Sequence, residues 1–124
     1  MNAVTQIFAL IAGFGHVGVF LMESMLFRRP SVQRLLLGRE GADPGVYLWA
    51  FNQGFYNLFV ALGAIGGVIT YHVSSDVVGE TLTLYACGFM AAAGVVLFVS
   101  DRRLWRGALG QSVPPLIALA ASLF

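Results

Sequence analysis

The sequence contains few of the polar side chains that a water-soluble protein needs. Only 10% of its 124 residues are charged, and 58% are hydrophobic, whereas about a quarter of the residues of a soluble domain are charged. The mean hydropathy is +0.80. So little polar surface cannot cover a soluble globule, and the composition therefore predicts a protein whose solvent is a lipid bilayer.

Cysteine, lysine and histidine are scarce or missing as well. Cys87 is the single cysteine, so no disulfide can form within the chain. Lysine is absent, and no run of basic residues points to a nucleic-acid partner. The two histidines are His16 and His72, and neither belongs to a Glu-x-x-His pair, so a di-iron ligand set is not indicated. We expect no metal ion and no other cofactor.

Long apolar stretches dominate the rest of the chain. About 20 apolar residues are needed to cross a bilayer as a helix, and the alternation typical of barrel strands is missing. We predict an all-α membrane protein, in which residues 1–124 form a single four-helix transmembrane bundle. The predicted spans are 3–27, 46–71, 80–100 and 104–124.

The ends of these spans carry further signals. No basic residue precedes the first span, which we interpret as a retained helix and not as a signal peptide. Asp43 and Pro44 suit the first turn of the second span. Pro114 and Pro115 lie inside the fourth span and should loosen it locally.

The arginines predict the orientation of the chain. All seven basic residues are arginines and lie in two connectors, whereas the connector 72–79 has none. Short loops rich in basic residues stay on the cytoplasmic side of a membrane. Both termini should therefore lie outside, and the arginine-rich connectors inside. These arginines are Arg28, Arg29, Arg34 and Arg39 in the first connector, and Arg102, Arg103 and Arg106 in the third.

The first connector also contains a candidate helix at residues 31–38. Ser31 can cap its start and Gly38 can end it, while Val32, Leu35 and Leu36 share one face. We expect a short helix that lies flat at the cytoplasmic interface. The alternative is a loop folded under the bundle.

Glycines at positions 13, 15 and 18 match the dinucleotide-binding pattern G-x-G-x-x-G. That pattern needs a strand before it and a helix after it, but here the glycines lie within one apolar stretch. We therefore interpret them as positions of close helix packing, as we do Gly63 and Gly67 in the second span.

Several polar residues are predicted to lie inside the membrane, where such groups usually face other helices. From their depths, Glu23, Asn52, Gln53 and Gln111 should form an inner layer, below His16, Tyr56 and Asn57. We expect these seven residues to line one pocket that opens toward the cytoplasm and binds a ligand or relays protons. Alternatively, the amides only join helices by hydrogen bonds, and Glu23 reaches the interface to pair with Arg28.

The run Asn52-Gln53-Gly54-Phe55-Tyr56-Asn57 and the pattern from His16 to Glu23 resemble a family of small bacterial inner-membrane proteins (domain of unknown function 1304). Gln111 and the Pro114-Pro115 pair fit the same resemblance, which covers essentially the whole chain. The resemblance implies a four-span fold and a bacterial inner membrane. It implies no activity.

Three kinds of function remain open at this point. The first is binding or transport of a small molecule or of protons in the pocket. The second is an embedded enzyme in which Glu23 and His16 perform acid–base chemistry on a lipid-like or isoprenoid substrate. The third is a structural or accessory subunit. The expected partners are membrane lipids, a small-molecule ligand and further copies of the chain, because four helices alone make a thin transport pathway.

Overall fold

A computed structural model describes the whole chain, Met1–Phe124, and every regular element in it is helical. The all-α prediction is confirmed, and the helix in the first connector is present. A short 3₁₀ turn, Arg102–Leu104, precedes the last helix. The α-helices are α1 (Ala3–Phe20), which continues directly as a π-helical segment (Leu21–Met25), α2 (Pro30–Leu37), α3 (Pro44–Val73), α4 (Asp76–Ser100) and α5 (Trp105–Ala121).

Three of these helical stretches are long and apolar enough to cross a membrane: Ala3–Met25, Pro44–Val73 and Asp76–Ser100. The fourth predicted span, α5, has 17 residues, which corresponds to about 25 Å of helix. Large apolar side chains face outward, and Phe14 and Phe59 are each 63% exposed. The protein therefore resembles a helical membrane protein in its helix lengths and its apolar surface.

The long helices pack in a closed ring with the order α1, α3, α4, α5, so that α5 also contacts α1. Small side chains fill the interior. One buried cluster joins Ala9, Val68, Cys87 and Ala118, and a second joins Ala12, Ala64, Ala86 and Met90. Small residues let helix backbones approach closely in lipid, where contact between helices is driven by packing.

Helices α3 and α4 approach each other closely at two glycines. A Cβ atom on Gly67 would lie 2.7 Å from the Thr83 backbone nitrogen and 2.9 Å from the Gly79 carbonyl oxygen. A Cβ atom on Gly79 would collide with the backbone of Tyr71. The prediction that Gly67 faces another helix is confirmed, and that helix belongs to the same chain. Gly63 also faces α4, in ordinary contact with Ala86.

Of the three glycines in α1 that were predicted to pack closely, only Gly13 does so, against α3; nothing lies within 4 Å of a Cβ atom built on Gly15 or Gly18.

Three further features differ from the prediction. Helix α2 begins at Pro30 with Arg29 as its N-cap, so Ser31 is not the cap, although Gly38 ends the helix in the left-handed conformation as predicted. Helix α5 runs without a break through Pro114 and Pro115. The first span changes from α- to π-helical after Phe20.

Candidate functional site

A polar contact between the π-helical segment and α3 joins Glu23 and Asn57. The Asn57 side-chain nitrogen donates a hydrogen bond of 2.8 Å to Oε2 of Glu23 and a second, of 3.2 Å, to the Gln53 carbonyl oxygen. Asn57 is buried and Glu23 is half-buried. The second carboxylate oxygen of Glu23 receives no hydrogen bond. This oxygen must be accessible at the surface. If it were buried it would be a second buried side-chain atom without a partner, and Nε2 of His16 is the one such atom in the protein.

The local backbone explains why Glu23 and Asn57 meet. Glu23 lies on the π-helical segment Leu21–Met25, and such segments occur frequently at functional sites. Next to it, the Ser24 hydroxyl donates a 2.8 Å hydrogen bond to the Phe51 carbonyl oxygen. A Cβ atom on Gly54 would lie 3.0 Å from the backbone nitrogen of Ser24. The missing side chain at Gly54 therefore lets α3 approach the π-helical segment one turn from Asn57.

A groove of about 300 Å³ opens beside this contact, at the end of the molecule that carries the arginines. We call it the Glu23 groove; its lining residues are Glu23, Ser24, Met25, Phe27, Arg28, Tyr47, Leu48 and Phe51. The Arg28 guanidinium lies over the Tyr47 ring, 4.7 Å from its centroid. Arg28 and Glu23 both line the groove but form no ion pair, since the two ion pairs of the protein are Arg34–Glu40 and Arg103–Asp101.

His16 lies deeper in the molecule and is separate from Glu23. It is 3% exposed; its Nδ1 is 2.9 Å from the Ala12 carbonyl oxygen, and its Nε2 has no partner. Ala9 and Ala118 belong to one buried cluster. His16 follows Ala9 by two turns on the same face of α1, and Gln111 precedes Ala118 by two turns on the same face of α5. The two helices run in opposite directions, so both steps lead toward the same end of the molecule. This register brings Gln111, which is half-buried, to the level of His16.

Three of the seven predicted pocket residues lie outside both groups. Asn52 is exposed and donates to the Leu48 carbonyl oxygen of its own helix at 2.9 Å. Gln53 is exposed, and Tyr56 is 65% exposed. The orientation of α3 about its own axis explains why these side chains are outside. Gly54 and Asn57 face α1, and because successive residues of a helix are about 100° apart, Tyr56 lies on the outer surface.

The predicted layers also change. Asn57 was expected beside His16, and Gln111 beside Glu23, but Asn57 contacts Glu23 and Gln111 lies level with His16. The structure therefore does not bring all seven residues to one place. Glu23 and Asn57 form one contact, and His16 and Gln111 share a second level.

Sequence reasoning missed other residues near the groove. Gln33 of α2 is 4% exposed; its amide donates to the Tyr47 hydroxyl at 3.0 Å and accepts from the Gly41 backbone nitrogen at 2.9 Å. It thus ties the first connector to the start of α3. Its position in an arginine-rich connector gave no sign of burial, whereas Gly54, within the Asn-Gln-Gly run, could have indicated the close contact with Ser24.

No group of three His, Cys, Asp or Glu side chains is arranged to hold a metal ion. No curated protein and no solved structure matches the chain. The family model described as a protein of unknown function (DUF1304) matches residues 10–123, which is nearly the whole sequence. The chain therefore belongs to this family of proteins of unknown function.

Proposed function

We propose that the chain crosses a bacterial inner membrane four times, with both termini outside. Helix α5 packs against α1 and α4, and its length of about 25 Å approaches the roughly 30 Å of a hydrocarbon core. Trp105, which is 47% exposed, begins this helix and suits the membrane interface. The two arginine-rich connectors join the same ends of the four long helices, and this arrangement supports a cytoplasmic position for that end.

We further propose that the protein binds a small molecule in the Glu23 groove. The observation that carries this proposal is the state of the Glu23 carboxylate: one oxygen is held by Asn57, and the other is accessible and has no partner. A carboxylate at membrane depth is costly without partners. A ligand that donates a hydrogen bond or carries positive charge completes its coordination.

The other lining residues define the rest of the ligand. Arg28 offers a positive charge at the same groove, and Arg guanidinium groups bind carboxylates and phosphates well. Phe27, Leu48 and Phe51 provide apolar walls. This combination favours a small zwitterionic amphiphile, with its cationic group at Glu23 and its anionic group at Arg28.

Protons compete with such a ligand for the same oxygen, so ligand binding is coupled to protonation of Glu23. Movement of the ligand across the membrane would require a pathway that four helices do not enclose, and we propose a homo-oligomer for any transport activity. The alternative of an acid–base enzyme receives less support, because Nδ1 of His16 contacts the carbonyl of its own helix and not Glu23.

A panel of four matched six-carbon probes tests the proposal on protein in nanodiscs: hexylphosphocholine, hexyltrimethylammonium, hexyl phosphate and hexanol. We expect the zwitterion to bind most tightly. Glu23→Gln should weaken its binding about tenfold or more, a change of roughly 1.4 kcal/mol, because it removes the negative charge that attracts the quaternary ammonium group. Arg28→Gln should remove the advantage of the phosphate group.

Asn52→Ala is the matched control, since Asn52 is exposed on α3 and bonded only to its own helix. It should bind all four probes as the unaltered protein does. Equal affinities across the panel, or equal losses in Glu23→Gln and Asn52→Ala, would contradict the proposal.

A further inference from the structure

A second groove, which shares no lining residue with the Glu23 groove, lies between the end of α4 and the first turns of α5. Its volume is about 320 Å³. The buried residues Gly94 and Ala108 lie at its base, and its other lining residues are Val95, Phe98, Trp105, Leu109 and Ser112. The Ser112 hydroxyl already donates to the Ala91 carbonyl oxygen of α4 at 3.3 Å. The groove therefore has apolar walls, which suit a hydrocarbon chain.

Two arginines lie at the interfacial end of this α4–α5 groove. The Arg102 guanidinium is 6.0 Å from the centroid of the Phe98 ring, and that of Arg106 is 5.3 Å from the centroid of the Trp105 ring. Both rings line the groove. The two cation–π contacts therefore hold positive charges beside its opening.

These two charges are not neutralised within the protein. Asp101, the nearest acid in sequence, is bound to Arg103 through Nε at 3.1 Å and Nη2 at 3.0 Å. The hydrogen bonds from Arg103 hold the pKa of the Asp101 carboxyl below its usual value, so it stays ionised and paired with that arginine. Arg102 and Arg106 form no ion pair, and both remain available to an anion.

We propose that the α4–α5 groove binds one anionic phospholipid, with an acyl chain in the groove and the phosphate at Arg102 and Arg106. Basic sites between transmembrane helices on the cytoplasmic side bind anionic headgroups in this way, and arginine pairs well with phosphate. A free anion would leave the apolar groove empty. A second copy inserted in the same orientation would bring its own arginines to this end, where they would repel.

Native mass spectrometry of the detergent-solubilised full chain tests the site, by titration with phosphatidylglycerol or phosphatidylcholine. We expect the first phosphatidylglycerol to bind about tenfold more tightly than phosphatidylcholine. The double variant Arg102→Gln/Arg106→Gln should lose this preference. The control Arg34→Gln/Arg39→Gln removes the same number of charges from the other connector and should keep it.

Two further measurements separate the lipid from other occupants. Val95→Trp places a bulky ring in the groove without changing its charge, and Val95 is 55% exposed, so the fold should tolerate it. It should weaken binding of the first phosphatidylglycerol, whereas glycerol phosphate should not compete with the lipid. Equal affinity for the two lipids, equal losses in the two double variants, or full competition by glycerol phosphate would overturn the proposal. Dimer dissociation by Val95→Trp, with lipid binding unchanged, would assign the groove to a second copy instead.

Discussion

At the scale of single residues, the contact between Glu23 and Asn57 explains how a carboxyl group is accommodated on a predicted membrane span. Asn57 donates one hydrogen bond to the carboxylate and one to the Gln53 carbonyl oxygen, which fixes the direction of its amide. The contact joins two helices, so part of its effect must be on stability. Any functional role of Glu23 has to be separated from that effect.

A double-mutant cycle measures the stabilising part. Asn57→Leu should lower the free energy of unfolding by about 1–2 kcal/mol, since hydrogen bonds between membrane helices contribute roughly 0.6 kcal/mol on average and up to about 1.7, and a lone buried acceptor adds a desolvation cost. The effect should be smaller when Glu23 is already leucine, because the acceptor is then gone. Unfolding in mixed micelles, followed by circular dichroism, provides the four free energies. Strict additivity would show that Glu23 and Asn57 do not interact in solution.

The sequence indicated some of these residues but not their arrangement. Glu23 and Asn57 could be chosen because a polar group deep in an apolar stretch needs a partner. Tyr56 could not be excluded from the predicted pocket, because the sequence around Asn57 does not show which face of α3 is turned toward α1. That rotation depends on the contact of Gly54 with Ser24 on another helix.

At the scale of elements, the crossing of α3 and α4 depends on glycine at position 67. Gly67→Ala should destabilise the protein by about 1–3 kcal/mol, since its Cβ would press on backbone atoms of α4 and overpacking has costs of this size. Gly66→Ala is the matched control, because nothing lies within 4 Å of its Cβ. It should be neutral or stabilising by up to about 1 kcal/mol, as alanine is the better helix former.

Unfolding of both variants in detergent checks this prediction. Similar effects of the Gly66 and Gly67 substitutions would mean that α3 and α4 do not cross at this point.

The helices themselves were largely predictable, and their irregularities were not. Apolar length and the arginine-rich connectors located every long helix, with ends that differ by a few residues: α4 begins at Asp76 instead of residue 80. The π-helical turn Leu21–Met25 has no sequence signature, and the contacts of its Ser24 with Phe51 and Gly54 on α3 appear only in the folded structure. Helix α5 continues through Pro114 and Pro115 while packed between α1 and α4.

At the scale of the whole molecule, the small residues are inside and many large apolar residues are outside. Ala61 and Ala64 are fully buried, whereas Trp49 is 78% and Tyr85 is 76% exposed. A water-soluble protein rarely exposes so much continuous apolar surface, and lipid removes its cost. The arrangement places the Glu23–Asn57 contact and the level of His16 and Gln111 at different depths, and the Glu23 groove at the arginine-rich end.

The most direct test of this account is the accessibility of position 23. In a Cys87→Ala background, Glu23→Cys should react with a membrane-impermeant thiol reagent in inverted vesicles and not in intact cells. Gly41→Cys in the first connector should react from the same side, and Ser75→Cys, between α3 and α4, from the opposite side. Labelling at position 23 from the outside, or from neither side while Gly41→Cys reacts, would contradict a binding groove that opens to the cytoplasm.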